Sequence, residues 1–197
     1  MSVLRKLFGP SREEIWRQLA AEIGAAYIEG GFWKRDQVEA SHGEWTVTLD
    51  TYFDAALKAD FTRLRAPFVN PEGFRFTVYR RGLFSDVAKL LGMQDIELGY
   101  AEFDQDFIIK GTHEAKLRAL FDHVRIRQLV SAQREIHFSV QAPERRRKRG
   151  LRANTDELSF KARGVLKDPD RLKQLFDLFA ETLDQLCRIG AAYEDGR

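Results

Sequence analysis

From Trp45 to Arg163, apolar and polar side chains repeatedly change places every second position, and this rhythm restricts the fold more than any other feature of the chain. Trp45, Val47 and Leu49 alternate with Thr46, Thr48 and Asp50; Ile136, Phe138 and Val140 repeat the pattern, as do Leu158, Phe160 and Ala162. Successive side chains of a pleated strand point to opposite faces, so the pattern predicts strands with one face in a core. Further strands are expected near Asp60 to Phe68 and Phe74 to Arg80, divided by the turn signal Asn70-Pro71-Glu72-Gly73. Ile96, Leu98 and Tyr100, then Phe107 and Ile109 after an acidic turn at Glu102 to Asp106, read as a hairpin that Gly111 ends. Connections this short leave no room for the helical crossovers of parallel pairing. The expected fold is therefore α+β: a mainly antiparallel sheet of about 6–7 strands with helices packed on one face.

A 3.6-residue period takes over elsewhere. Ser11 and Glu14 form an S-x-x-E capping box ahead of Ile15, Leu19, Ile23 and Tyr27, which predicts a helix over residues 11–29 stopped by Gly30-Gly31. Leu83, Phe84, Val87, Leu90 and Leu91 predict another, closed by Gly92. The stripe Leu117, Leu120, Phe121 and Val124 loses phase at Ile126, Leu129 and Val130, so a break is expected near Asp122. The last helix has Asp168 as cap, Pro169 in its first turn, and Leu172, Leu175, Phe176, Phe179, Leu183 and Leu186 on one face. With no repeat and no linker-like tract, residues 11–190 read as a single α+β domain, with residues 1–10 and 191–197 as tails.

The alternation also assigns the two faces of the sheet. Trp45, Val47, Leu49, Leu64, Phe74, Phe76, Val78, Phe138, Val140 and Phe160 go to the helices. Thr46, Thr48, Arg63, Arg65, Arg75, Tyr79, Lys110, His137, Lys161 and Arg163 go to the other side, which is expected to be polar, mildly basic and wet.

Charge and cysteine content narrow the compartment and the partners. Cys187 is the only cysteine, which removes disulfides and multi-thiolate metal sites and points to a reducing compartment, the cytoplasm. Arg5 and Lys6 interrupt Leu4, Leu7 and Phe8 before a signal-peptide core can form, and no apolar run is long enough for a transmembrane helix. The N-terminal segment is expected to be a tail, with contact to a membrane surface as its other reading. Net charge is +2, but Arg145, Arg146, Arg147, Lys148, Arg149 and Arg152 supply +6 in the connection between two strands, leaving −4 for the rest. Any attraction for polyanions is thus expected to be concentrated in residues 145–152, with the polar sheet face, Arg63, Arg65, Arg75, Lys161 and Arg163 around Tyr79, as a second candidate surface.

Motifs for chemistry are missing. No nucleophile elbow, phosphate-binding glycine loop or dinucleotide fingerprint occurs. His42, His113, His123 and His137 include no i, i+4 pair, so neither a metal nor a cofactor is expected. Glu102, Asp104 and Asp106 alternate, yet Ile109 and Ala115 stand where a calcium loop needs glycine and glutamate, so an acidic turn is expected. Cys187 adjoins the apolar stripe of the last helix and reads as an inert thiol.

Gly99 to Gly111, with Phe103, Asp104 and Phe107, and the helix that follows from His113 resemble a recurrent element of uncharacterised bacterial proteins. In these an F-D-x-x-F-x-I/V strand leads into a helix ending near an arginine–leucine pair, similar to Arg127 and Leu129 here. The likeness covers about 40 residues and implies a bacterial, cytosolic protein, with Phe103 and Phe107 anchoring a hairpin and Asp104 shaping its turn. It implies no activity.

Together these readings favour a non-catalytic binding or protein-interaction domain. Contact of Arg145, Arg146, Arg147, Lys148, Arg149 and Arg152 with nucleic acid or an acidic membrane surface is the first alternative. An enzyme or small-ligand carrier with a pocket between sheet and helices is the second.

Overall fold

The two-residue rhythm is realised as one sheet in a computed structural model that describes residues 10–31, 35–82, 94–143 and 154–192. Its strands are β1 (Ala26–Ile28), β2 (Gln37–His42), β3 (Trp45–Asp54), β4 (Ala59–Val69), β5 (Phe76–Arg80), β6 (Gln94–Asp95), β7 (Phe107–Gly111), β8 (His137–Gln141) and β9 (Thr155–Arg163). They lie in the order β1-β2-β3-β4-β9-β8-β5-β7-β6. Every neighbouring pair is antiparallel. The helices are α1 (Arg12–Ile23), α2 (Ala101–Asp106), α3 (Glu114–Phe121), α4 (Val124–Ser131) and α5 (Pro169–Arg188). The class is α+β as expected, but nine described strands exceed the expected 6–7. The unexpected ones are β1 and β2: β1 is a three-residue edge strand, and Gln37–His42 carries Val38 as its only large apolar residue, too little for a rhythm to show.

Leu49, Leu64, Phe160, Phe138, Val78 and Ile109 stand in register across β3, β4, β9, β8, β5 and β7, and none is more than 2% exposed. All five helices add buried side chains to the cluster this row founds, so the helices share one face of the sheet. Helix α5 turns Leu172, Leu175, Phe179, Leu183 and Leu186 inward, and the Phe179 ring meets Phe138 edge-on at 5.9 Å. Each such side chain contributes roughly 1.5–3 kcal/mol on leaving water. Asp168 caps α5 by accepting from the N–H groups of Asp170 and Arg171, with Pro169 in the first turn. The break expected near Asp122 is the boundary of α3 and α4.

Three local expectations are corrected. The first helix has its capping box but ends at Ile23, not residue 29, because Gly24 takes the left-handed conformation (φ 67°) and its N–H closes onto Ala20. Tyr27 then joins β1 opposite Val38. The acidic turn at Glu102 to Asp106 is helix α2, and of the expected strand through Ile96, Leu98 and Tyr100 only Gln94–Asp95 pairs with β7. Asp104 explains both: its carboxylate accepts from the N–H groups of Leu98 (3.0 Å) and Gly99 (2.8 Å), which bends the chain out of the sheet. Phe103 is buried against Phe107 at 4.7 Å. Finally, Ala191 and Ala192, placed in the C-terminal tail, are buried against the core. The expected helix over 83–91 and residues 1–9 of the N-terminal tail lie outside the described residues.

Candidate functional site

The six basic residues singled out in the sequence, Arg145, Arg146, Arg147, Lys148, Arg149 and Arg152, lie outside the described residues. What is described is the hairpin that carries them: β8 pairs directly with β9, Gln141 opposite Glu157, so the basic run occupies the β8–β9 connection.

On the face away from the helices two polar rows cross the sheet. One contains Lys110, Thr77, Ser139, Ser159, Arg65 and Thr48; the other contains Tyr79, His137, Lys161, Arg63 and Asp50. This face is polar but not wet. Ser139 and Ser159 are 0% exposed, Thr77 2% and Asp50 4%. Alternation of polarity therefore did not become alternation of exposure. Its positive charge is also largely neutralised. Arg63 grips Asp50 with two hydrogen bonds (2.9 and 2.8 Å) and Arg65 adds a third (3.0 Å). Arg75 leaves these rows altogether: it precedes β5 and forks onto Asp156, which also accepts from Asn70.

His137 is the most perturbed group in these rows. Burial, reinforced by the positive charge of Lys161 across the strand pair, lowers its pKa from 6.5 to about 4. Because the folded value lies below the unfolded one, the unfolded chain binds the extra proton between these limits. Stability is complete above pH 6.5 and falls as the pH drops toward 4, by roughly 2 kcal/mol at pH 5. Urea titrations at pH 7.5 and pH 5 check this; His137→Asn should remove most of the difference, and equal midpoints for the parent chain would refute it.

The end of the sheet where β3 turns into β4 has a different character. Exposed large apolar side chains among the described residues are Ile28 (41%), Phe53 (55%), Leu57 (52%), Val124 (55%) and Val165 (36%). Phe53 and Leu57 flank the β3–β4 turn, in which Asp54 pairs with Ala59 across the hairpin. Asp54 orders the turn by accepting from the N–H groups of Ala56 (2.9 Å) and Leu57 (3.0 Å). Gly164 bridges Phe61 beside the start of β4, which brings Val165 to the same end. Ile28 lies apart, on the outermost strand opposite Gln37 and level with the middle of β3, and Val124 is on α4. Sequence reasoning missed this surface, although a signal was present: the turn Asp54-Ala55-Ala56-Leu57-Lys58 holds none of the Gly, Pro or Asn residues usual in a hairpin turn and carries apolar ones instead.

The charges at this end divide unequally. Its acids are engaged: Asp54 holds the turn, Asp60 pairs with Arg35 (2.9 Å), Asp36 with Arg12 (2.6 Å) and Glu29 with Arg17 (3.3 Å). Lys58, Arg163 and Lys167 are exposed and form no ion pair among the described residues.

No family model and no curated protein matches this sequence. Among solved structures, the crystal structure of the mycobacterial trehalose monomycolate transport factor A, TtfA, matches with a TM-score of 0.56 over 94% of this chain and 98% of that one. The likeness is one of fold. Sequence identity is 11%, so the match shows that the two chains share an architecture and does not extend to residues of a site.

Proposed function

We propose that this chain is a non-catalytic binding domain, bacterial and cytoplasmic, whose contact surface is the end of the sheet built by the β3–β4 turn and the residues after β9. One observation carries the reading: three of the five exposed large apolar side chains described, Phe53, Leu57 and Val165, gather at that end. Scattered apolar residues need no explanation, but a gathered set held out by an ordered turn is the usual mark of a contact surface. The fold neighbour is a transport factor, which agrees with binding as the activity of the scaffold.

Capture from native lysate on the tagged full-length chain tests this, with Phe53→Ser/Leu57→Ser as the decisive variant. Both side chains are over half exposed, so the variant should keep its stability within about 0.5 kcal/mol while losing what the parent captures. Identical capture by parent and variant would end the proposal. A second arm addresses the basic run, whose place in the β8–β9 connection favours a polyanion reading. Converting Arg145, Arg146, Arg147, Lys148 and Arg149 to serine should then remove a nuclease-sensitive, salt-dependent part of the capture and leave the remainder.

A further inference from the structure

From the composition of the same end of the sheet we infer the class of its partner: an anionic lipid surface, into which the β3–β4 turn inserts Phe53 and Leu57. The inference rests on the binding reading above and adds what is bound. Membrane-surface segments combine apolar side chains, which enter the acyl boundary, with cations that stay at the headgroups. Both are present here. Phe53 and Leu57 supply the apolar part with Val165 beside them, and Lys58, Arg163 and Lys167 supply cations that form no ion pair among the described residues. Asp60, Asp36 and Glu29 are held in ion pairs, while Asp54 keeps its charge and turns its carboxylate onto the amides of its own turn.

A second copy of the chain fits this surface less well. A two-fold interface would bring two such patches, each carrying Lys58, Arg163 and Lys167, together, and the like charges would oppose association. An anionic bilayer instead attracts each of the three, within the reach of a Debye length. Pro10 is also nearby, lining one groove with Ile15, Lys167 and Pro169. No described helix is long and apolar enough to cross a membrane, so contact would be with the surface.

Flotation of the full-length chain with vesicles tests the assignment, using phosphatidylcholine alone and phosphatidylcholine with phosphatidylglycerol. The parent should float with the anionic vesicles and much less with the neutral ones, and the anionic binding should weaken as salt rises. Phe53→Ser/Leu57→Ser should reduce it by about tenfold or more. Lys58→Glu/Lys167→Glu should weaken it on anionic vesicles only, and serine replacement of Arg145 to Arg149, at the other end of β9, should leave it in place. Urea midpoints matching the parent would show that the exposed-site variants remain folded. The assignment is overturned if the parent stays with neither vesicle type, if the Phe53/Leu57 variant floats like the parent, or if only the 145–149 variant loses binding. Protein capture that needs Phe53 and Leu57, together with no flotation, would overturn the lipid assignment while the binding domain stands. A concentration-dependent dimer that Phe53→Ser/Leu57→Ser dissolves, without flotation, would do the same.

Discussion

Phe138→Ala should lower the unfolding free energy by about 3–5 kcal/mol, the range for removing a fully enclosed aromatic ring. Phe138 is 0% exposed and meets both neighbouring strands and the helix layer. Its ring meets Phe76 on the neighbouring strand at 5.7 Å and Phe179 on α5 at 5.9 Å, and it stands opposite Phe160 on β9. Since domains of this kind are stable by only about 5–15 kcal/mol, the variant should unfold at a much lower urea concentration and a lower temperature. Phe53→Ala is the matched control, because that ring is already 55% in water and its loss should be nearly neutral. Similar midpoints for the two variants would mean that the row through Phe138 is not the centre of the core.

Asp50→Ala should cost about 3 kcal/mol, although it removes a polar side chain from the face opposite the helices. Asp50 is the carboxylate on which Arg63 and Arg65 converge, and its side chain is 6% exposed against 12% and 13% for theirs. Once it is gone, two guanidinium groups that have lost most of their water also lose the anion between them. Part of Arg63 remains supported, since its guanidinium lies over the Tyr52 ring at 5.0 Å, so the loss should fall at the lower end of the range for a broken buried ion pair. Asp50→Asn, which keeps hydrogen-bond acceptance without the charge, should lie between parent and alanine. A shift below about 1 kcal/mol for Asp50→Ala would show that solvent screens the cluster as it does an ordinary surface pair.

Asp50 also shows where reading residues one at a time fails. In the sequence Arg63, Arg65 and Lys161 suggested a mildly basic open face, and no periodicity showed which acid would meet them. The register of β3 on β4 supplies one from thirteen residues away. The apolar tip escaped for the opposite reason. Phe53 and Leu57 look like core residues by type, and only their position in an ordered turn reveals that they stay in water. The basic run was conspicuous because its charges adjoin in sequence, and its place in a strand connection followed from the alternation on either side.

What the amino-acid order determined alone is whatever short-range periodicity and capping can encode: the strands through Trp45, Phe76, Phe138 and Phe160, the break at Asp122, the capped final helix, and through these the α+β class. Side-chain direction repeats every two or 3.6 residues, so a few neighbours suffice to reveal it. Only the tertiary structure decided that β9 lies between β4 and β8, that the polar face is sheltered and mostly neutral, and that exposed apolar residues meet at one end of the sheet. Those outcomes depend on which strands become neighbours and in what register, and that is set by the packing of side chains far apart in the chain.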